Sequence, residues 1–248
     1  MKEITDINEL NSLVLPYFKR GVITNNFLKL EDYEVYFKES SLFFEKTQNV
    51  LLLFRKVNEI YNVYFYINGD DDIVFPKNSV VEVIEPDENI INFFKKSGFS
   101  EVKLRQEMKL TNFDKLEDKN EVCLAKDEEL EDVLEIIKDN FDEVYGRIPS
   151  LEELRNDKVL VSKDEEGYIN GLVHFKPNKA FCQISHVVSL KKGVGKKVLS
   201  GYINHEKDKC NEFRVWVNSD NERAINLYLK SGHEFTGRKS VVYSNINR

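Results

Sequence analysis

The stretch Lys191-Lys192-Gly193-Val194-Gly195-Lys196-Lys197-Val198-Leu199 sets two glycines and four lysines in nine residues. A β-like run precedes it and a helix-like run follows. The chain as a whole carries a formal net charge of -7, so this basic cluster stands against the general balance. A glycine turn feeding a helix start presents backbone N–H groups and the positive end of the helix dipole, and glycine lets an anion come close. A pyrophosphate fits such a site. Taken alone, a Gly-x-Gly at a turn is more often only a turn.

Downstream, Asn221-Glu222-Arg223-Ala224-Ile225-Asn226-Leu227-Tyr228-Leu229-Lys230-Ser231-Gly232 reads as a helix. Asp220 or Asn221 stands at its start and Gly232 just past its end. Between the two motifs, Glu212-Phe213-Arg214-Val215-Trp216-Val217-Asn218 alternates as a strand does.

In this order the motifs resemble those of the GCN5-related N-acetyltransferase (GNAT) family. That family's pyrophosphate motif, Gln/Arg-x-x-Gly-x-Gly/Ala, is matched at Gly193 and Gly195, with Leu190 at the Gln/Arg position. Its second motif, Asn-x-x-Ala-x-x-Leu-Tyr-x-x-x-Gly-Phe, is matched at Asn221, Ala224, Leu227, Tyr228 and Gly232, with His233 in place of Phe. The link from strand to Gly193 is shorter than is usual. The resemblance covers roughly residues 120 to 245. It implies an α/β (α+β) fold with a mixed, mostly antiparallel sheet flanked by helices, and acetyl-CoA as cofactor.

A distant repeat extends the reading to the first half. Ile91-Asn92-Phe93-Phe94-Lys95-Lys96-Ser97-Gly98-Phe99 aligns without gaps on Ile225 to His233, and strand-like runs flank both. The first copy lacks the working parts. Phe94 stands for Tyr228 and Asp87 for Asn221, and Gly69-Asp70-Asp71-Asp72 falls where the glycine turn should be. Three carboxylates there repel a pyrophosphate. The expectation is two tandem GNAT-like domains: a degenerate one at residues 1–115 and an acetyltransferase domain at 116–248. The polar segment Thr111 to Asn120 is the expected linker.

The expected layout follows from caps and periodicity. Asp6-x-x-Glu9 is a capping box for a helix carrying Leu10, Leu13 and Val14, which Pro16 should disturb. Strands are expected near 42–46, 49–56 and 60–67. In the second half a strand at Glu121 to Ala125 precedes a helix from about Asp127, with Leu130, Val133, Leu134, Ile137 and Phe141 on one face. A second helix starts near Ser150. A hairpin spans 158–176 with its turn at Asp164 to Gly167, and the strand Phe181 to Val188 leads to the glycine turn.

Composition narrows the classes. Of the 248 residues 32% are charged and 41% hydrophobic, which suits a globular chain with one large core or two small ones. No apolar run reaches the length of a membrane span, and no h-region marks a signal peptide. The three cysteines, Cys123, Cys182 and Cys210, have no metal-ligand spacing and no even count for a disulfide framework. A cytoplasmic setting is the expectation, without metal, nucleic acid or membrane. A homodimer is left open.

Acetyl transfer to an amine requires a held thioester, a neutral amine and a proton for the departing thiolate. The resemblance assigns the cofactor's pyrophosphate to Lys192, Gly193, Val194, Gly195, Lys196 and Lys197. It assigns the pantetheine arm to the amides of Val187 and Val188, which can also polarise the thioester carbonyl. Asn221 either contacts that arm or caps its helix. Tyr228, protonated at neutral pH, is the candidate acid. His186, on the strand feeding the turn, is the candidate base. Strand alternation groups it with Cys182, Ile184 and Val188 on one face. His174, Asp139, Asp142 and Glu143 are secondary candidates. The expected activity is N-acetyltransfer to a small-molecule or peptide amine by direct attack in a ternary complex. The alternative is a non-catalytic module that senses acyl-CoA or a partner protein.

Overall fold

The run Val50-Leu51-Leu52-Leu53-Phe54 is apolar at every position because its strand is buried on both faces. Leu51 and Leu53 face one helical layer, and Val50, Leu52 and Phe54 face the other. A period of two side chains on a strand with helices above and below explains the pattern. The computed structural model describes residues 1–19, 21–69, 71–116, 122–176 and 181–246. Within the expected linker, residues 117–120 lie outside this set, as do Asp70 and Glu121.

The chain forms two units, Met1–Leu104 with Ser240–Arg248, and Arg105–Lys239. In order, the first copy of the repeat supplies β1 (Lys2–Glu3), α1 (Ile7–Val14), β2 (Ile23–Thr24), α2 (Leu30–Lys38), β3 (Leu42–Lys46), β4 (Val50–Val57), β5 (Ile60–Ile67), β6 (Ser79–Ile84), α3 (Glu88–Lys96) and β7 (Ser100–Leu110). The second supplies β8 (Cys123–Leu124), α4 (Leu130–Asn140), α5 (Leu151–Asn156), β9 (Lys158–Lys163), β10 (Ile169–Lys176), β11 (Cys182–Ser189), α6 (Val194–Glu206), β12 (Phe213–Asn218), α7 (Glu222–Lys230) and β13 (His233–Ser244).

In unit 1 the strands run in the order β1-β3-β4-β5-β6, and Ser240–Ser244 of β13 pair antiparallel with β6. Among the described residues of this unit, β5 and β6 are the parallel pair. Asp6 caps α1 by accepting from the Asn8 and Glu9 amides, and the helix ends at Val14, two residues before Pro16. Helices α1 and α2 cover Leu51, Leu53, Tyr64 and Tyr66. Helix α3 covers the other face through Phe94, whose ring lies 5.5 Å from Phe65, 5.4 Å from Phe99 and 5.7 Å from Tyr243. Phe94 stands where the second copy has Tyr228, and it is a core residue with no exposure. No helix follows β5 among the described residues. Asp71 instead accepts from the Asn49 amide and carboxamide at 2.8 and 2.9 Å, bonds that hold its carboxyl below the usual range.

In unit 2 the order is β12-β11-β10-β9-β8, and Arg105–Lys109 of β7 pair antiparallel with β12. Among the described residues of this unit, β11 and β12 are the parallel pair. Helices α6 and α7 pack on Val173, Phe175, Ile184, Phe213, Val215 and Val217. Helices α4 and α5 pack on Val159, Val161, Leu172 and Val188. Ser150 and Glu153 form the box that starts α5, and a 3-10 turn at Asp127–Glu129 starts α4. Gly232 ends α7 with φ near 91°, and a Cβ there would collide with the Asn112 carbonyl oxygen. That close approach lets the Gly232 carbonyl accept from both the Thr111 and Asn112 amides at 3.0 Å.

The sequence copies and the compact units therefore differ at their ends. Residues 105–110 close the first copy but fold with unit 2, and residues 240–244 close the second copy but fold with unit 1. A fragment of residues 116–248 would lose Met108 and Leu110 from the unit 2 core and expose the edge of β12. A fragment of residues 105–239 retains both, so calorimetry should give it a cooperative transition that the 116–248 fragment lacks.

Candidate functional site

Strands β11 and β12 pair through Cys182↔Phe213, Gln183↔Arg214 and Ile184↔Val215, and there the pairing stops. On its other edge β11 stays paired with β10 up to Ser189. Past Ile184, the β12-side edge of β11 has no strand partner among the described residues. Such an edge offers N–H and C=O groups to a ligand. The register of β10 against β11 shifts between Phe175↔Ile184 and His174↔His186, which makes Ser185 the extra residue of a bulge.

That bulge corrects the expected alternation. Cys182 and Ile184 face α6 and α7, whereas His186 and Val188 face α4 and α5. Val187, half-buried, packs on the α6/α7 side. The structure therefore does not bring the side chains of His186 and Tyr228 to one face of the sheet.

At the end of β11 the chain turns through Gly193, whose φ is near 90° and where a Cβ would meet nothing within 4 Å. Helix α6 starts at Val194 with no side-chain cap, unlike α1, α3, α5 and α7, which Asp6, Asp87, Ser150 and Asn221 cap. Gly195 is buried at a close approach: a Cβ would lie 3.2 Å from Leu227 Cδ2 and 3.4 Å from Ser189 Cβ. The two sequence motifs thus meet here, since Leu227 belongs to α7. Arg223 of the same helix reaches the Ser189 carbonyl at 3.4 Å. Lys192 is exposed, and Lys196 and Lys197 are half-buried. Lys191 pairs with Asp164 of the β9–β10 turn at 2.9 Å, which holds the Asp164 carboxyl below its usual range. Asn221 caps α7 by accepting from the Ala224 amide at 3.0 Å.

Tyr228 is buried in the cluster that contains Ile184, Val187 and Val215, the residues around the point of divergence. Burial pushes its phenol above the usual value, so the hydroxyl keeps its proton. His233 lies beside it with ring centroids 5.5 Å apart. Burial lowers the His233 imidazole to about 4, opposed by the Tyr228 carbonyl.

His186 belongs to a buried chain whose other members lie far apart in sequence. Its Nε2 is 3.0 Å from the Gly146 carbonyl, and its Nδ1 is 3.0 Å from His174 Nδ1. His174 Nε2 is 2.8 Å from Asp157 Oδ2, and Lys176 lies 3.8 Å from the same oxygen. The imidazoles are parallel within 4°, with Phe141 edge-on to His186. A carbonyl only accepts, so His186 carries its hydrogen on Nε2 and accepts at Nδ1. His174 must then donate from Nδ1. Its Nε2 faces a carboxylate, which also accepts. The chain thus runs from the Asp157 carboxylate through His174 and His186 to the Gly146 carbonyl. Burial first, and then the neighbouring His174, hold His186 neutral with a pKa of about 3.

Both ring nitrogens of His186 are therefore engaged, and its hydrogen bond fastens the loop between α4 and α5. Arg105 holds the same loop by donating to the Tyr145 carbonyl at 2.6 Å, and it also donates to Asn218 at 3.1 Å. Asp142 caps the loop's turn through the Val144 and Tyr145 amides. Asp157, Gly146 and Arg105 were invisible as site residues in the sequence.

No known family's sequence model matches this chain, and no curated protein matches it in sequence. Solved structures do match its fold. An acetyltransferase of the GNAT family from Colwellia psychrerythraea superimposes with a TM-score of 0.59 at 11% identity, over 98% of this chain and 97% of that one. A GCN5-related N-acetyltransferase from Kribbella flavida gives 0.54 at 11% identity, over 88% and 95%. A tandem GNAT protein from the clavulanic acid biosynthesis pathway gives 0.53 at 10% identity, over 98% and 89%. The chain has the GNAT fold in tandem form, and at these identities the likeness is one of fold. No helix among the described residues is long and apolar enough to cross a membrane.

Two measurements check the electrostatics. Nitrogen-15 NMR at pH 7 should show His186 as the neutral Nε2–H tautomer. Between the ordinary histidine pKa of 6.5 and values of about 3 and 4, the unfolded chain binds protons that folded His186 and His233 refuse. Stability therefore falls as pH falls through this window. His233→Phe should flatten that acid slope in thermal melts.

Proposed function

We propose that this protein is an acyltransferase that uses acetyl-CoA and acylates an amine at unit 2. The observation that carries this reading is the divergence of β11 from β12 directly before the Gly193 turn and the uncapped start of α6. The unpartnered edge of β11 suits an amide-bearing arm through Val187, whereas the Leu190 amide bonds the Asn170 carbonyl and the alternation of the ladder turns the expected Val188 amide to β10 as well. The turn and first helical residues, Lys192 to Lys197, suit a pyrophosphate, because the dipole is positive there and the Gly193 side is open. When bound, acetyl-CoA supplies an activated acyl group as a thioester.

The chain's own residues then have three tasks. The Val187 amide orients the arm and can donate to a carbonyl oxygen as it gains charge. Tyr228 keeps its proton through burial and can deliver it to a departing thiolate. His186 keeps the loop between α4 and α5 in place through the Gly146 carbonyl, which makes it a positioning residue. The proton of the amine is left to solvent in this reading, since both nitrogens of His186 are engaged. The same fact favours the second reading, a non-catalytic module that senses acyl-CoA. Screening an amine library for release of free CoA thiol separates the two: binding without release under every amine supports the sensor.

Gly195→Asp should weaken acetyl-CoA binding by about tenfold or more, since it adds bulk against Leu227 and negative charge at the pyrophosphate turn. Titration calorimetry reads this directly. Tyr228→Phe should keep affinity and thermal stability while lowering turnover by about 10²-fold. Unchanged turnover would remove the hydroxyl from the reaction, and a parallel loss of affinity and stability would make Tyr228 a packing residue.

A further inference from the structure

Unit 1 contains its own diverging parallel pair, and its own chain fills the gap. Strands β5 and β6 pair through Tyr61↔Ser79 and Asn62↔Val80, and the Tyr61 amide donates to the Asn78 carbonyl. A parallel ladder repeats every two residues, so two further steps would join the Phe65 amide to the Glu82 carbonyl. The side chain of Asn25 is inserted in that rung. Its Oδ1 accepts from the Phe65 amide at 2.8 Å, and its Nδ2 donates to the Glu82 carbonyl at 3.0 Å and the Val63 carbonyl at 3.0 Å.

Just beyond, β2 pairs antiparallel with β5 through Thr24↔Tyr66 and Ile23↔Ile67. The opposite edge of β5 is paired with β4 along its whole length. The edge that faces β6 is thus met in turn by β6, by the Asn25 carboxamide and by β2. The inserted segment is fastened by the next residue. Asn26 donates to the hydroxyls of Tyr33 at 2.6 Å and Tyr66 at 3.0 Å, and accepts from the Leu28 amide at 3.2 Å.

From this geometry we propose that residues 23–25 are a built-in occupant of the unit 1 cleft. The Asn25 carboxamide takes the backbone groups that an amide-bearing cofactor arm would need, and it closes unit 1 to acyl-CoA. Unit 1 is then a scaffold whose cleft is filled in the resting fold. The carboxamide is suited to this place because it carries an acceptor and two donors on one plane, matching one N–H and two C=O groups. A carboxylate would face two carbonyls with no hydrogen to give. The part of the proposal that concerns acyl-CoA rests on the reading of unit 2 as a cofactor site, whereas the filled cleft does not.

Amide exchange followed by NMR on the full chain tests the insertion without any ligand. In the wild type, the Nδ2 protons of Asn25 should exchange at least about tenfold more slowly than those of an exposed asparagine. In Asn25→Ala the Phe65 amide should exchange about tenfold faster or more, having lost its acceptor. Rapid exchange at Asn25 in the wild type, or unchanged protection of Phe65 in a folded Asn25→Ala variant, overturns the insertion. If the Ala variant fails to fold, the wild-type carboxamide decides alone. Titration of the wild type with acetyl-CoA should give one site per chain. Two sites would overturn the closure of unit 1 and leave the unit 2 reading intact. No site, with Asn25 protected, would defeat the unit 2 reading and leave the filled cleft standing.

Discussion

A parallel strand pair that stops pairing part-way leaves backbone N–H and C=O groups facing a gap inside a sheet, and such groups need partners. The rest of this protein depends on how that need is met. In unit 2 the ladder ends at Ile184↔Val215, and the strand continues past a bulge at Ser185 to the glycine turn. In unit 1 the ladder ends at Asn62↔Val80, and an asparagine carboxamide with a short strand takes the exposed groups. One geometric feature thus leaves an edge without a strand partner among the described residues of one unit and a packed seam in the other.

The residues that follow each divergence agree with this division. After β11 come Gly193, an uncapped helix start and a cluster of lysines, all suited to negative charge. After β5 comes an acidic segment in which Asp71 is committed to the Asn49 amide. In the helices that follow, Tyr228 presents a buried phenol beside the divergence, while Phe94 offers only a ring to an aromatic cluster. Hydrogen bonding, charge and side-chain chemistry therefore change together between the copies.

The buried Asp157–His174–His186 chain shows how a polar network specifies position. Asp157 meets His174, His174 meets His186, and His186 meets the Gly146 carbonyl, each at 2.8 to 3.0 Å. A fully satisfied network of this kind rigidifies what it touches. What it touches is the Gly146 carbonyl, and through it the loop between the first two helices of unit 2. The residue that the sequence offered as a base is thereby a fastening, because both its nitrogens are in use.

The sequence by itself determined a great deal. The GNAT-like fold, the repeat, the Ser150 and Asp6 caps, the strands at 42–46 and 60–67, the α6 start and the missing first-copy turn are all local patterns of period, cap and turn chemistry. Such patterns depend on neighbours within a few residues, so they are legible in one dimension. The tertiary structure alone decided the rest. The Ser185 bulge turned His186 to the opposite face, which no alternation rule can foresee, since one extra residue inverts every later side chain. The exchange of strand ends at 105–110 and 240–244 pairs residues more than a hundred positions apart. The insertion of Asn25 between Phe65 and Glu82 joins segments whose contact exists only because two strands diverge. An asparagine between two helices carries no mark of that task in the sequence; its donors and acceptor acquire meaning only when the fold places unpaired backbone groups in front of them.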